Sequence, residues 1–277
     1  MAKTLAQKVI VITGATSGIG AGAAEVLAKR GARLLLAGRR EAQGQALAEK
    51  IRAAGGDAVF KRADVGSDAD VAALLAFAEK KFGGVDVVWN NAGVEGSTTT
   101  SVVASTDKAW DDVFNINVLG PVRGLRHGVP ALERRGGGVI VTTSSVVAVL
   151  PFPNAAPYCA SKAAVDQLTR VAAAELAPKN IRVYTINPYV FESEMGARVS
   201  SAATGDAANV AALAQAFNPS GRVGSPADIA AVFEKLVLGQ LPYASGANIA
   251  VDAGADHFDM TEAPAKAAAK QQQQQKQ

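Results

Sequence analysis

Seven short apolar or β-branched runs recur along the chain with helix-forming stretches between them, and no other feature constrains the fold as much. The runs are VIVIT (9 to 13), RLLLA (33 to 37), AVFKR (58 to 62), VDVVWN (85 to 90), VIVTT (139 to 143), IRVYTI (181 to 186) and NIAV (248 to 251). Helical patterning fills 19 to 30, 41 to 54, 68 to 82, 107 to 134, 157 to 177 and 226 to 238. Several of these strands are apolar on both faces, which places them inside a parallel sheet covered by helices on each side. Eight regular strand-helix units are not evident, so the expected α/β architecture is an open, doubly wound sheet in a single domain. Gly31 after Lys29-Arg30 has the place of a helix stop, and Ser67 that of an N-cap before the 68 to 82 helix.

The 277 residues, 49% hydrophobic and 19% charged, support a sizeable core. The single cysteine, Cys159, cannot form an internal disulfide, and with His127 and His257 as the only histidines no Cys/His metal cluster is expected. The formal charge of +3 is scattered, with no basic block interleaved with aromatics, so nucleic acid is not an expected partner. The first apolar run is too short for a signal or a membrane span, and the expected location is the cytoplasm. Residues 191 to 221, rich in Ala, Ser and Gly, read as a mobile insertion with some helix near 207 to 217. The sequence from Thr261 onward is low-complexity and cannot build a core. The expected organisation is therefore one domain over 1 to 256, with a substrate loop at about 189 to 221, and a disordered tail over 257 to 277.

The first strand runs directly into Thr13-Gly14-Ala15-Thr16-Ser17-Gly18-Ile19-Gly20 and then into a helix. Glycines at such a turn let the backbone approach a pyrophosphate, and the helix N-terminus offers N–H groups and a positive dipole end. The spacing is G-x-x-x-G-x-G rather than G-x-G-x-x-G, so the position between first strand and first helix carries the reading. In a dinucleotide site the end of the second strand selects the cofactor: an acid there takes a ribose 2′-hydroxyl, an arginine a 2′-phosphate. Here that strand ends Ala37-Gly38-Arg39-Arg40, which favours NADP(H), with NAD(H) the other possibility and Glu41 a complicating acid.

Tyr158 and Lys162 lie four apart and share a helix face. Tyrosine, with a pKa of about 10, is a poor acid or base near neutrality unless a neighbouring ammonium stabilises its phenolate. Lys162 is placed to supply that charge. Upstream, Thr142-Thr143-Ser144-Ser145 ends the fifth strand on the edge where parallel sheets bind ligands, and Ser145 offers a hydroxyl to a carbonyl oxygen. The group suits proton transfer coupled to hydride movement from a bound nicotinamide.

With these residues in place the sequence resembles the classical short-chain dehydrogenases/reductases. The likeness rests on TGATSGIG (13 to 20), Asp64-Val65, Asn90-Asn91-Ala92-Gly93, Asn117 in NINVLG, Ser145, Tyr158-x-x-x-Lys162, Asn187-Pro188 and Val251-Asp252-Ala253-Gly254. It implies a seven-stranded Rossmann-type sheet, NAD(P)(H) binding, interconversion of a carbonyl and an alcohol, and a homotetramer or dimer. It makes Tyr158 the general acid in reduction and base in oxidation, with Lys162 tuning it and binding the nicotinamide ribose. Ser145 then orients the substrate oxygen, chosen over Ser144 for its interval to Tyr158, and Asn117 holds a water in a proton relay. Asp64 and Val65 are implied at the adenine, Asn91, Ala92 and Gly93 beside its ribose, and Pro188 and Ser193 near the carboxamide end.

Two departures stand out. Tyr189 follows Pro188 where the family usually has glycine, and the two readings are a substrate-pocket wall or a core or subunit contact. Asp252-Ala253-Gly254 also lacks a usual glycine. The alanine-rich 157 to 177 helix agrees with close packing between subunits or within one. The leading expectation is NADPH-linked reduction of a ketone or aldehyde. The rivals are an NAD-linked alcohol, sugar or steroid-like dehydrogenase and a catalytically silent dinucleotide-binding sensor. Cys159 points about 100° around the helix from Tyr158 and has no partner motif, which makes it a packed bystander.

Overall fold

The computed structural model describes residues 4–191, 193–198 and 220–255. The expected helix near 207 to 217 and the tail over 257 to 277 lie outside them. Seven strands form: β1 (Val9–Thr13), β2 (Arg33–Gly38), β3 (Asp57–Arg62), β4 (Val87–Asn90), β5 (Gly138–Thr143), β6 (Ile181–Pro188) and β7 (Asn248–Val251). All pair in parallel, in the order β3-β2-β1-β4-β5-β6-β7. This is the Rossmann-type sheet. Its strand order reverses between β1 and β4, so the loops leaving their carboxyl ends diverge and open a crevice.

The helices are α1 (Gly18–Lys29), α2 (Glu41–Ala53), α3 (Asp68–Phe82), α4 (Asp107–Asn117), α5 (Leu119–Arg134), α6 (Ala156–Leu176) and α7 (Pro226–Val237). The caps read from the sequence are present: Ser67 accepts from the Asp70 N–H at 3.2 Å, and Gly31 takes φ 91° just past α1. Ser225 and Asp228 close a capping box on α7. The expected single helix over 107 to 134 is instead two, broken at Val118 (φ −107°, ψ −59°). Pro121 explains the break, since it has no N–H for the Asn117 carbonyl four residues earlier and its ring crowds that oxygen.

The two-residue period of the strands sorts the core onto the two sheet faces. Ile10, Ile12, Leu34, Leu36 and Trp89 pack with Leu27 of α1 and Phe233 of α7. Val9, Val11, Leu35 and Val88 pack with Leu74 of α3 and Ala172 of α6. Trp89 stacks on Phe233 with ring centroids 4.3 Å apart, while its Nε1 donates to Thr143 Oγ1 at 2.9 Å. The largest core side chain thereby fixes the end of β5 beside the crevice. Among the described residues no helix is long and apolar enough to cross a membrane.

Candidate active site

The glycine loop joins β1 to α1 by backbone contacts that leave no room for side chains. Gly14 has φ 66°, and a Cβ on it would sit 2.7 Å from Ala92 Cα. A Cβ on Gly20 would sit 2.6 Å from the Gly14 carbonyl oxygen and 2.5 Å from Asn91 Nδ2. Asn91 holds the loop in place: its Nδ2 donates to the carbonyls of Thr13 at 3.0 Å and Gly14 at 3.2 Å. Thr143 Oγ1 in turn donates to Asn91 Oδ1 at 3.0 Å, so one side chain ties β1, β4 and β5 together. Ser17 at the N-cap of α1 makes no side-chain capping bond, which leaves the first-turn N–H groups for an anion. The cradle fits a dinucleotide pyrophosphate.

A cavity of about 490 Å³ runs from this loop to Tyr158. Its lining brings together Gly14, Thr16, Ser17, Gly18, Ile19, Arg39, Arg40, Asp64, Val65, Asn91, Ala92, Gly93, Ser145, Tyr158, Lys162, Pro188, Tyr189 and Ser193. Of the residues expected from sequence, Gly20 and Asn117 are not on its wall. Gly20 packs beneath the loop. Asn117 is 2% exposed behind Gly93, its Oδ1 accepting from Val94 N at 2.8 Å and its Nδ2 donating to Val94 O at 2.8 Å and Ser161 Oγ at 3.0 Å. With the amide fully engaged, the Asn117 group left for a relay is the backbone carbonyl that Pro121 keeps out of the helix ladder.

At the β2 end, Arg39 is exposed on the cavity rim. Arg40 turns inward, its Nε donating to Thr16 Oγ1 at 3.3 Å and its Nη1 to both carboxylate oxygens of Glu194 at 3.1 and 3.0 Å. Asp64 accepts from Gly66 N at 2.9 Å, and the Val65 carbonyl from Arg123 at 2.9 Å, which fixes the β3 end of the cavity.

The reacting end is built by β5 and α6. Ser144 is 2% exposed and donates to the Lys162 carbonyl at 3.2 Å, whereas Ser145 lines the cavity with Tyr158 and its hydroxyl favours the phenolate. Of the two serines, Ser145 is the one presented to the tyrosine. Lys162 is 4% exposed, donates from Nζ to the Thr143 carbonyl at 2.8 Å, and stands 5.5 Å from the Tyr158 ring centroid. Burial pulls its pKa down to about 8, against the opposing charge of Asp166. Tyr158 is pushed up to about 12 by burial; its bond with Ser145 works the other way, and the Glu95 charge adds to the rise. Burial, the largest effect on Tyr158, runs against the lowering that a neighbouring ammonium would give, and Lys162 Nζ is directed at the Thr143 carbonyl.

Tyr189 lines the cavity rather than the core, with burial raising its pKa. Ser193 roofs the cradle: its Cβ lies 3.3 Å from where a Cβ on Gly18 would be, and its Oγ accepts from Gly196 N at 2.9 Å. Cys159 is partly buried, with its thiol raised by burial and its Sγ 3.8 Å from the Phe152 carbonyl. Sequence reasoning missed Glu95, paired with Arg198, as well as Glu194 and Met195, whose sulfur is 3.9 Å from Tyr158 Oη. Glu95 directly follows the Asn91-Ala92-Gly93-Val94 segment and could have been found there. The other two belong to a loop with no period to read.

A family model described as short chain dehydrogenase matches residues 8–204. The chain is 32% identical over 257 residues to a 2,5-dichloro-2,5-cyclohexadiene-1,4-diol dehydrogenase of Sphingobium indicum, covering 92% of this chain and 98% of that protein. It is 34% identical over 258 residues to a trans-4-hydroxycyclohexanecarboxylate dehydrogenase of Sinomonas cyclohexanicum, covering 90% and 93%. Among solved structures, a 3-ketoacyl-(acyl-carrier-protein) reductase from Brucella melitensis complexed with NADH superposes with a TM-score of 0.81 at 32% identity, across 91% of this chain and 99% of that one.

Proposed function

The chain belongs to the short-chain dehydrogenase family, whose members are oxidoreductases of alcohols and ketones, and from that premise we propose that it reduces a ring ketone with NADPH. The observation that carries the reading is the convergence of Ser145, Tyr158 and Lys162 at one end of a cavity whose other end is the glycine cradle. The dinucleotide, when bound, supplies the hydride. Tyr158 Oη gives its proton to the carbonyl oxygen while Ser145 Oγ donates to the same oxygen, so the charge that develops there meets two donors. Raised by burial, the Tyr158 phenol holds its proton at neutral pH, as the acid of a reduction must. Lys162, with a pKa of about 8, exchanges protons near neutrality and stands beside the same Gly93 wall as Asn117. The two together form the route by which Tyr158 is reprotonated.

Ring substrates are inferred from the two relatives named for cyclohexadiene and cyclohexane compounds, and from a reacting end walled by Val147, Phe152, Tyr189 and Met195. A second reading, an NAD-linked alcohol dehydrogenase, is favoured by one observation: Arg40 is already paired with a carboxylate. We read the chain as a cytoplasmic homotetramer or dimer, with the exposed Leu119 of α5 and Val171 of α6 as contact residues. Initial rates with NADPH and NADH across cyclic and open-chain ketones test the proposal. Faster turnover of cyclic ketones with NADPH is expected. Preferred oxidation of cyclic alcohols with NAD supports the second reading, and dinucleotide binding with no turnover supports a silent sensor.

A further inference from the structure

At the end of β2 the chain carries Arg39 and Arg40 with Glu41 turned to Gln45 of the following helix, and a second carboxylate is brought there from elsewhere in the chain. Glu194 arrives from the segment after β6, 154 positions from Arg40, and both its oxygens accept from Arg40 Nη1, at 3.1 and 3.0 Å. Its neighbour Ser193 lies over Gly18, so residues 193 and 194 bridge the mouth of the cavity from the pyrophosphate cradle to the β2 end. Arg40 Nε is meanwhile held by Thr16 Oγ1 at 3.3 Å, inside the glycine loop. The guanidinium is thus oriented by the loop and neutralised by Glu194.

We propose that Glu194 is the residue that sets the choice between the two dinucleotides, because its carboxylate occupies the face of Arg40 that a ribose 2′-phosphate would need. A cofactor with a 2′-phosphate must displace Glu194 from Arg40 and bring a second multiply charged anion beside it. A cofactor with a 2′-hydroxyl leaves the pair intact. Arg39 lines the same rim and adds attraction for the phosphate, so the balance between the cofactors is set by two arginines against one glutamate. The inference rests on the dinucleotide reading of the site and not on the identity of the substrate.

The pair is solvent-accessible, with side chains 39% and 58% exposed, which keeps the effect modest. Glu194→Gln should tighten NADPH by about two- to fivefold, the range that an exposed ion pair supports. It should leave NADH within about 1.5-fold, since only the 2′-phosphate meets the pair. Arg40→Gln should weaken NADPH, and in that background the Glu194→Gln change should have no further effect. The experiment is a fluorescence titration of the full chain with each reduced cofactor in the absence of substrate, on these three variants and the parent. An unchanged NADPH to NADH ratio in Glu194→Gln overturns the inference. So does equal tightening of both cofactors, which makes Glu194 a general charge at the mouth. If the parent binds neither dinucleotide, the parent reading falls and this one with it.

Discussion

Replacing Lys162 with methionine separates the cost of burying its charge from everything else the lysine does. The ammonium is 4% exposed, and burial lowers its pKa from 10.5 to about 8. Below pH 8 both folded and unfolded chains are protonated, and the folded one bears the desolvation cost in full. Between pH 8 and 10.5 the folded lysine is neutral while the unfolded one still binds its proton, so stability rises with pH through that window. At about 1.4 kcal/mol per pH unit, the cost is about 3 kcal/mol at pH 7 and falls by about 2 kcal/mol by pH 9.5. Tyr158 does not interfere, because its raised pKa matters only above the ordinary value of 10. Denaturant unfolding of the parent and of Lys162→Met at pH 7.0 and 9.5 gives four free energies. The expected parent-minus-variant difference becomes about 2 kcal/mol more favourable to the parent at the higher pH. The Thr143 carbonyl loses its donor in the variant at both pH values, so that loss cancels. Parallel behaviour of the two proteins would refute the reasoning and mean that Lys162 titrates as a solvated lysine.

Gly20→Ala places a methyl 2.6 Å from the Gly14 carbonyl oxygen, so it should cost about 1–3 kcal/mol as overpacking and weaken dinucleotide binding, read by melting temperature and cofactor titration. Tyr189→Gly opens the cavity wall and should change the relative kcat/KM values across a panel of ketones of increasing size; an unchanged profile would assign Tyr189 no part in selection. Glu95→Gln removes a charge that raises Tyr158, so the limb of the pH–rate profile on which oxidation speeds up with rising pH should move to lower pH.

The parts of the site that could be read from the chain are those whose geometry is local. The glycine loop follows directly from a strand and opens a helix, and Tyr158 and Lys162 are one helical turn apart, so sequence spacing is already spatial arrangement. The two-sided apolar strands likewise dictated a parallel sheet covered on both faces. The break at Val118 was also written locally, in Pro121, but the apolar period of 107 to 134 masks it. Other features depend on distance. Burial raises Tyr158 and lowers Lys162, and burial is a property of the folded whole rather than of neighbouring letters. Charge proximity could be read from the four-residue spacing; desolvation, the larger effect, could not. In the same way Glu194 and Met195 reach Arg40 and Tyr158 across the crevice from a segment without hydrophobic period.

The central claim is that Tyr158 is the proton donor in a carbonyl reduction, and Tyr158→Phe tests it most directly because the ring is kept and only the hydroxyl is removed. With a ketone that the parent reduces, the variant should lose about 10²- to 10⁴-fold in kcat/KM, the range attributed to a positioned acid. Dinucleotide affinity, measured by titration of the same preparation, should stay within about threefold, a shift of under 1 kcal/mol. Turnover by the phenylalanine variant at a rate close to the parent's would contradict the account.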